Sequence, residues 1–178
     1  ATLGSDTVRL SVIAGAVGLV VVVLFMLFYY RFPGLLASIA LVAYGLIVLA
    51  IYEVLGVTVT LAGLAGFVLS VGMAVDANVL IFERTRDELR HGKSVPLAVD
   101  TGFRRAFPAI RDSNVSTMIA CAVLFFMGSS VVKGFAVTMI IGMIWNLFTA
   151  VFVSRAIFEL FYQKGWLKKL TMLKMIDK

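Results

Sequence analysis

The segment GMAVDANVLIFER, residues 72–84, is apolar along most of its length yet holds one carboxylate, Asp76, near its middle. A carboxylate inside a membrane-crossing helix costs on the order of 2.5–3.5 kcal/mol on insertion scales, and burial favours its protonated form. An acid that gains and loses a proton at depth is what a proton relay requires; the plainer alternative is a hydrogen bond to a neighbouring helix. A second cluster, RDSNVST at 111–117, places Asn114 and Thr117 one turn apart, where both can face Asp76. Asp112 or Ser113 reads as a helix N-cap. Asn78 stands two positions after Asp76. Asn146 is another polar residue deep in an apolar run, a pattern more typical of interhelical hydrogen bonding than of ligation.

Other chemistry finds little support. With one His and one Cys, no zinc set can be assembled from this chain. Cys121 lies in an apolar run and reads as a small packing residue, and His91, just before Gly92, reads as a helix-end residue. The stretch DELRHGKS resembles a phosphate-binding loop only superficially. It has Asp87 where the loop needs a first Gly, and it follows a helix rather than a strand. No catalytic residue, metal or cofactor is therefore expected, and the chain is read as a non-enzyme whose work draws on an ion gradient or a partner.

The elements that must position these groups follow from composition. Of 178 residues 61% are hydrophobic and 15% charged, far from the balance of a soluble domain. Five apolar runs, at about 8–30, 34–54, 60–84, 112–131 and 134–160, each approach the roughly 20 residues a helix needs to cross a bilayer. They lack the alternation of barrel strands, and backbone amides cannot stay unpaired in lipid. The expected fold is all-α, a single-domain polytopic membrane bundle of five transmembrane helices with a short cytoplasmic amphipathic helix in the loop 85–111. That short helix is expected to start at Ser94, end at Pro108 and either lie on the inner membrane surface or dock a partner subunit through its aromatic and basic residues.

Two spans carry small or polar residues at every fourth position: Ala62, Gly66, Ser70, Ala74 and Asn78 in the third, and Gly134, Thr138, Gly142, Asn146, Ala150 and Ser154 in the fifth. Such rows let helix backbones approach closely, so these helices are expected inside the bundle, with Gly66, Ser70, Gly72, Gly134, Gly142 and Asn146 as packing positions. The first span, rich in Val, Leu and Phe, is expected to face lipid.

The cations cluster on one side. With the N-terminus outside, the inner segments hold Arg31, then Arg84 to Arg111, then Lys164 to Lys178, against Arg9 and Lys133 outside. Topology thus accounts for the net charge of +6, and the interleaved Glu83, Asp87, Glu88 and Asp100 argue against nucleic acid. The basic tail with Trp166 suits the lipid bilayer interface. The opening ATLGSDTVRLS has neither an initiator Met nor a basic leader, so the chain is expected to begin inside a larger protein.

The stretches YYRFPGLLA, GMAVDANVLIFERTRDELR, GFRRAFPAIRDSNVST and VKGFAVTMIIGM, followed by SRAIFELF, resemble the C-terminal transmembrane region of the SecD/SecF protein-export family, within the resistance-nodulation-division superfamily. VDAN and FER favour the SecD branch over SecF. The resemblance implies a bacterial inner-membrane subunit that works with SecF on the SecYEG channel. It would use the proton gradient, or sodium in some species, to promote translocation of a polypeptide. It also implies that Asp76 carries the proton opposite charged groups of SecF, and that Asn78, Asp112, Asn114 and Thr117 line the ion path. A complete SecD has a further span and a large extracytoplasmic domain ahead of this region, both expected to be absent here. Two other readings stand beside it: an efflux transporter of the same superfamily, and a scaffold that only stabilises the channel.

Overall fold

A computed structural model of the chain describes residues 2–57, 60–153 and 156. It contains α1 (Thr2–Tyr30), α2 (Phe32–Val54), α3 (Leu61–Arg90), α4 (Val95–Met127) and α5 (Ser130–Phe148), followed by a short π-helical turn, Thr149–Val153. All five α-helices are long and apolar enough to cross a membrane. The expected all-α bundle is therefore what forms. The end of the last span, Ser154, Arg155 and the tail with Trp166 lie outside the described residues.

The reversals follow from local chemistry. Only Arg31 separates α1 from α2, and it takes a positive φ of 51°. Pro33 supplies a preset first turn for α2. Gly34 then lets α2 press on the backbone of Met26, where any Cβ would collide with a carbonyl. Thr60 caps α3 by accepting a hydrogen bond from the Gly63 amide at 3.1 Å. Gly92, at φ 81°, ends α3 as its position in the sequence leads one to expect.

The centre of the bundle is α3, which touches every other helix and packs most extensively on α5 and α4. The four-residue rows make this contact. Gly66, Ser70, Ala74 and Asn78 of α3 and Thr138, Gly142 and Asn146 of α5 are all buried. Tyr44 of α2 closes the junction: its hydroxyl lies 2.8 Å from Ser70 Oγ and 3.1 Å from the Gly142 carbonyl, sharing its proton between them. Tyr52 donates to the Thr138 carbonyl at 2.9 Å. By contrast α1 exposes Leu10, Val17, Val20, Leu24 and Phe28, as a lipid-facing helix would.

The fourth helix departs from expectation. Pro108 does not terminate a short helix; α4 runs through it as one helix of 33 residues. Asp112 and Ser113 are consequently mid-helix and cap nothing. Proline removes one backbone hydrogen bond and crowds the preceding turn. Here Ala98, Gly102, Ala106, Ile110 and Asn114, buried at every fourth position on both sides of Pro108, hold the helix in register. Packing on α3 outweighs the local penalty. At about 1.5 Å per residue α3 and α4 reach roughly 45 and 50 Å, so they project well past a hydrocarbon core of about 30 Å as a paired hairpin.

Beyond the hydrocarbon, Glu88 fastens the tip of this hairpin. It is 2% exposed, and its two oxygens meet Lys93 and Arg105. Gly102 permits the approach, since a Cβ there would strike the backbone of Thr85 at 2.8 Å. The Lys93 hydrogen bond and the Arg105 charge hold the Glu88 carboxyl below its ordinary pKa. A lowered folded-state pKa contributes stability above the unfolded value that is lost as pH falls through the folded one. Glu88→Gln is accordingly expected to speed proteolytic cleavage in the 91–94 turn several-fold at neutral pH. The difference from the parent should shrink only as pH falls below the ordinary carboxylate range and through the lowered pKa of Glu88, where the parent carboxylate is itself protonated. Limited proteolysis across pH measures this.

Candidate functional site

Asp76 sits fifteen positions into α3 from Leu61, about 22 Å along the axis and so within the membrane. The rows on α3 turn Gly66, Ser70, Ala74 and Asn78 inward, which leaves Asp76 on an open face of the helix; among the described residues it is exposed. It opens onto a groove of about 110 Å³ lined by Met73, Asp76, Ala77 and Leu80 of α3 and by Ala109, Ile110, Ser113 and Asn114 of α4.

The electrostatics are one-sided. Among the described residues no Lys or Arg lies within ion-pair distance of Asp76. Arg111, the nearest cation along α4 in sequence, is engaged by Asp112 at 2.9 Å, both side chains more than half exposed. A carboxylate at membrane depth is stabilised by a cation or dipole brought close to it, and the described residues place none beside Asp76.

The expected polar set divides. Asp76 and Asn114 share the groove, and Asn114 is also buried against α5, its Oδ1 accepting from Asn146 Nδ2 at 3.5 Å. Asn78 is buried on the opposite face of α3, with Nδ2 donating to the Ala74 carbonyl at 3.1 Å. Asp112 and Thr117 are not in the groove wall; the Thr117 hydroxyl donates to the Ser113 carbonyl at 3.0 Å. Sequence reasoning passed over Ser113 as a groove residue because it read that position as a helix cap.

Among the packing positions, Gly66, Gly134 and Gly142 lie where a Cβ would meet the neighbouring helix or its flanking Thr60. Gly72 corrects the expectation. A Cβ there meets nothing within 4 Å, because Gly72 is on the exposed face one turn before Asp76. Gly102 was not anticipated as a contact, although the row it belongs to is present in the sequence.

Residues 1–164 match the family described as "Protein export membrane protein SecD/SecF, C-terminal". The chain belongs to the SecD/SecF family. Among SecD/SecF relatives, it is 54% identical to the protein translocase subunit SecD of Thermobaculum terrenum over 163 residues, 89% of this chain and 32% of that protein. It is 57% identical to SecD of Synechocystis over 157 residues, 88% of the chain and 33% of the relative. The crystal structure of SecDF from Thermus thermophilus, described as a translocon-associated membrane protein, superposes with a TM-score of 0.89 at 37% identity. It covers 92% of this chain and 23% of SecDF. The chain thus spans about a third of the length of the SecD relatives it matches. Family membership and the five apolar helices together make it a multi-pass membrane protein.

Proposed function

We propose that this chain is the energy-coupling membrane region of a SecD-type subunit of the protein-export machinery. With a SecF-type subunit it would use the proton gradient to promote polypeptide translocation through SecYEG. The observation that carries the reading is Asp76, at membrane depth, exposed on its own chain and without a cation among the described residues.

The groove is shaped for a partner helix. Met73 and Ala77 on one wall and Ala109 and Ser113 on the other are small or unbranched, and Gly72 lies one turn before Asp76 on the same exposed face, so a helix from another subunit can approach closely and bring a cation to Asp76. A proton arriving from the outer side neutralises Asp76 and cancels that attraction. Release to the inner side restores it. The charge change thereby biases two arrangements of the subunits. The N-terminus of this region lies outside and its C-terminus in the cytoplasm of a bacterial inner membrane, the orientation that puts the cationic hairpin inside. The translocating polypeptide is met by the extracytoplasmic part of the full-length subunit.

Translocation of a secretory protein into inverted membrane vesicles, with and without a protonophore, tests the reading in the full-length protein with Asp76 or Asp76→Asn. If both respond to the gradient equally, Asp76 is structural and the subunit is a scaffold of the channel. Sodium in place of protons as the coupling ion would show as stimulation that survives the protonophore and follows the sodium gradient.

A further inference from the structure

Asn146 is 1% exposed and Asn114 4%, the two meeting where α5 crosses α4. Their hydrogen bond, Asn146 Nδ2 to Asn114 Oδ1, measures 3.5 Å, at the outer limit for such a contact. The other end of the Asn146 amide, Oδ1, is buried and has no donor among the described residues. A buried amide end left dry loses its hydration with nothing in return, and native interiors satisfy such groups with ordered water.

Two further features bear on where such a water would sit. Asn114 is both the partner of Asn146 and a wall of the Asp76 groove, whose volume of about 110 Å³ holds several waters. Beyond Asn146, the backbone widens into the π-helical turn Thr149–Val153, a distortion frequent at functional sites. Thr149 Oγ1 turns back to the Trp145 and Asn146 carbonyls at 2.9 and 3.2 Å, which gives these two carbonyls a side-chain donor while Asn146 Oδ1 stays without one among the described residues.

We propose that Asn114 and Asn146 hold an internal water continuous with water in the Asp76 groove, and that Asn146 is a positioning residue for proton exchange at Asp76. The inference rests on the proposed proton-carrying role of Asp76. Neither amide titrates. A proton from the aqueous phase enters the groove and passes to the Asp76 carboxylate through the waters there, each receiving one proton as it gives one, so that every water is regenerated and only the proton moves. Asn146 accepts a hydrogen bond from the innermost water, which orients the line and is not its proton source.

The test uses the full-length protein assembled with its SecF-type partner. A structure of that assembly at a resolution showing ordered solvent is expected to place a water within hydrogen-bond distance of the Asn146 amide. A direct protein partner there, with no water, would overturn the proposal. In vesicles, Asn146→Leu removes both polar ends at similar volume, whereas Asn146→Ser keeps an acceptor and leaves room for water. The Leu variant is expected to lose about tenfold in gradient-stimulated translocation, equivalent to roughly 1.4 kcal/mol. The Ser variant should retain most of it, and gradient-independent translocation and co-purification with the partner should be unchanged in both. Equal loss in both variants, or loss in neither, counts against the proposal. If the Leu variant does not accumulate, the solvent density in the parent decides. Asp76→Asn in the same assay separates the two readings. Stimulation that survives Asp76→Asn removes the coupling role itself, whereas stimulation lost with Asp76→Asn but kept with Asn146→Leu removes only this inference.

Discussion

Asp76→Asn is expected to abolish the gradient-stimulated component of translocation while leaving the gradient-independent component and the amount of membrane-inserted protein unchanged. Asn matches Asp in size and stays polar but cannot take up or release a proton. One elementary charge moved through about 100 mV is worth roughly 2.3 kcal/mol, close to fiftyfold in an equilibrium, and a side chain that cannot carry the proton forfeits all of it. Misfolding is a poor alternative explanation for such a loss. The residue is on the exposed face of α3, and exchanging an ionisable group for a neutral one lowers the cost of placing it in the membrane. Asp76→Glu keeps a titratable group one methylene further into the groove and should retain part of the stimulation. Comparing the three proteins at matched expression, with and without protonophore, measures both effects.

Gly142→Leu is expected to destabilise the centre of the bundle strongly. A Cβ at Gly142 would stand 2.6 Å from Ser70 Cβ and 2.9 Å from the Tyr44 hydroxyl, at the point where α2, α3 and α5 meet. Replacing a helix-interior Gly by a good helix former gains up to about 1 kcal/mol in propensity, but overpacking a tight interface costs about 1–3 kcal/mol or more. The clash is with a Cβ and a hydrogen-bonded hydroxyl rather than a flexible side-chain end, so packing wins. Loss of protein from detergent extracts on heating, followed by size exclusion, reads the effect. Gly72→Leu is the informative control, because a Cβ there meets nothing within 4 Å. It should leave the isolated subunit as heat-resistant as the parent and instead weaken co-purification with the SecF-type partner.

Much of this architecture is legible before any tertiary structure is known. Hydropathy and length mark five spans because the bilayer core demands a run of apolar helix of about 20 residues. The four-residue rows of α3 and α5 mark the helices that pack closely, since small side chains at that spacing form a continuous stripe. Asp76 stands out because its cost in an apolar span needs an explanation.

Tertiary structure alone decided which neighbour occupies each helix face. Periodicity fixes the angle between Gly72, Asp76 and Asn78 on one helix, but not that α5 covers the Asn78 side while the Gly72 and Asp76 side is left open. The same limit explains Pro108. Its local penalty is readable in the sequence and suggests a helix end, whereas the continuous burial of Ala98 through Asn114 against α3 is a property of the assembled bundle. The pairing of Asn114 with Asn146, 32 positions apart, likewise exists only once α4 and α5 have crossed. Local sequence sets what each helix can present, and packing free energy, summed over several neighbours at once, determines which face is buried and which chemistry is left exposed.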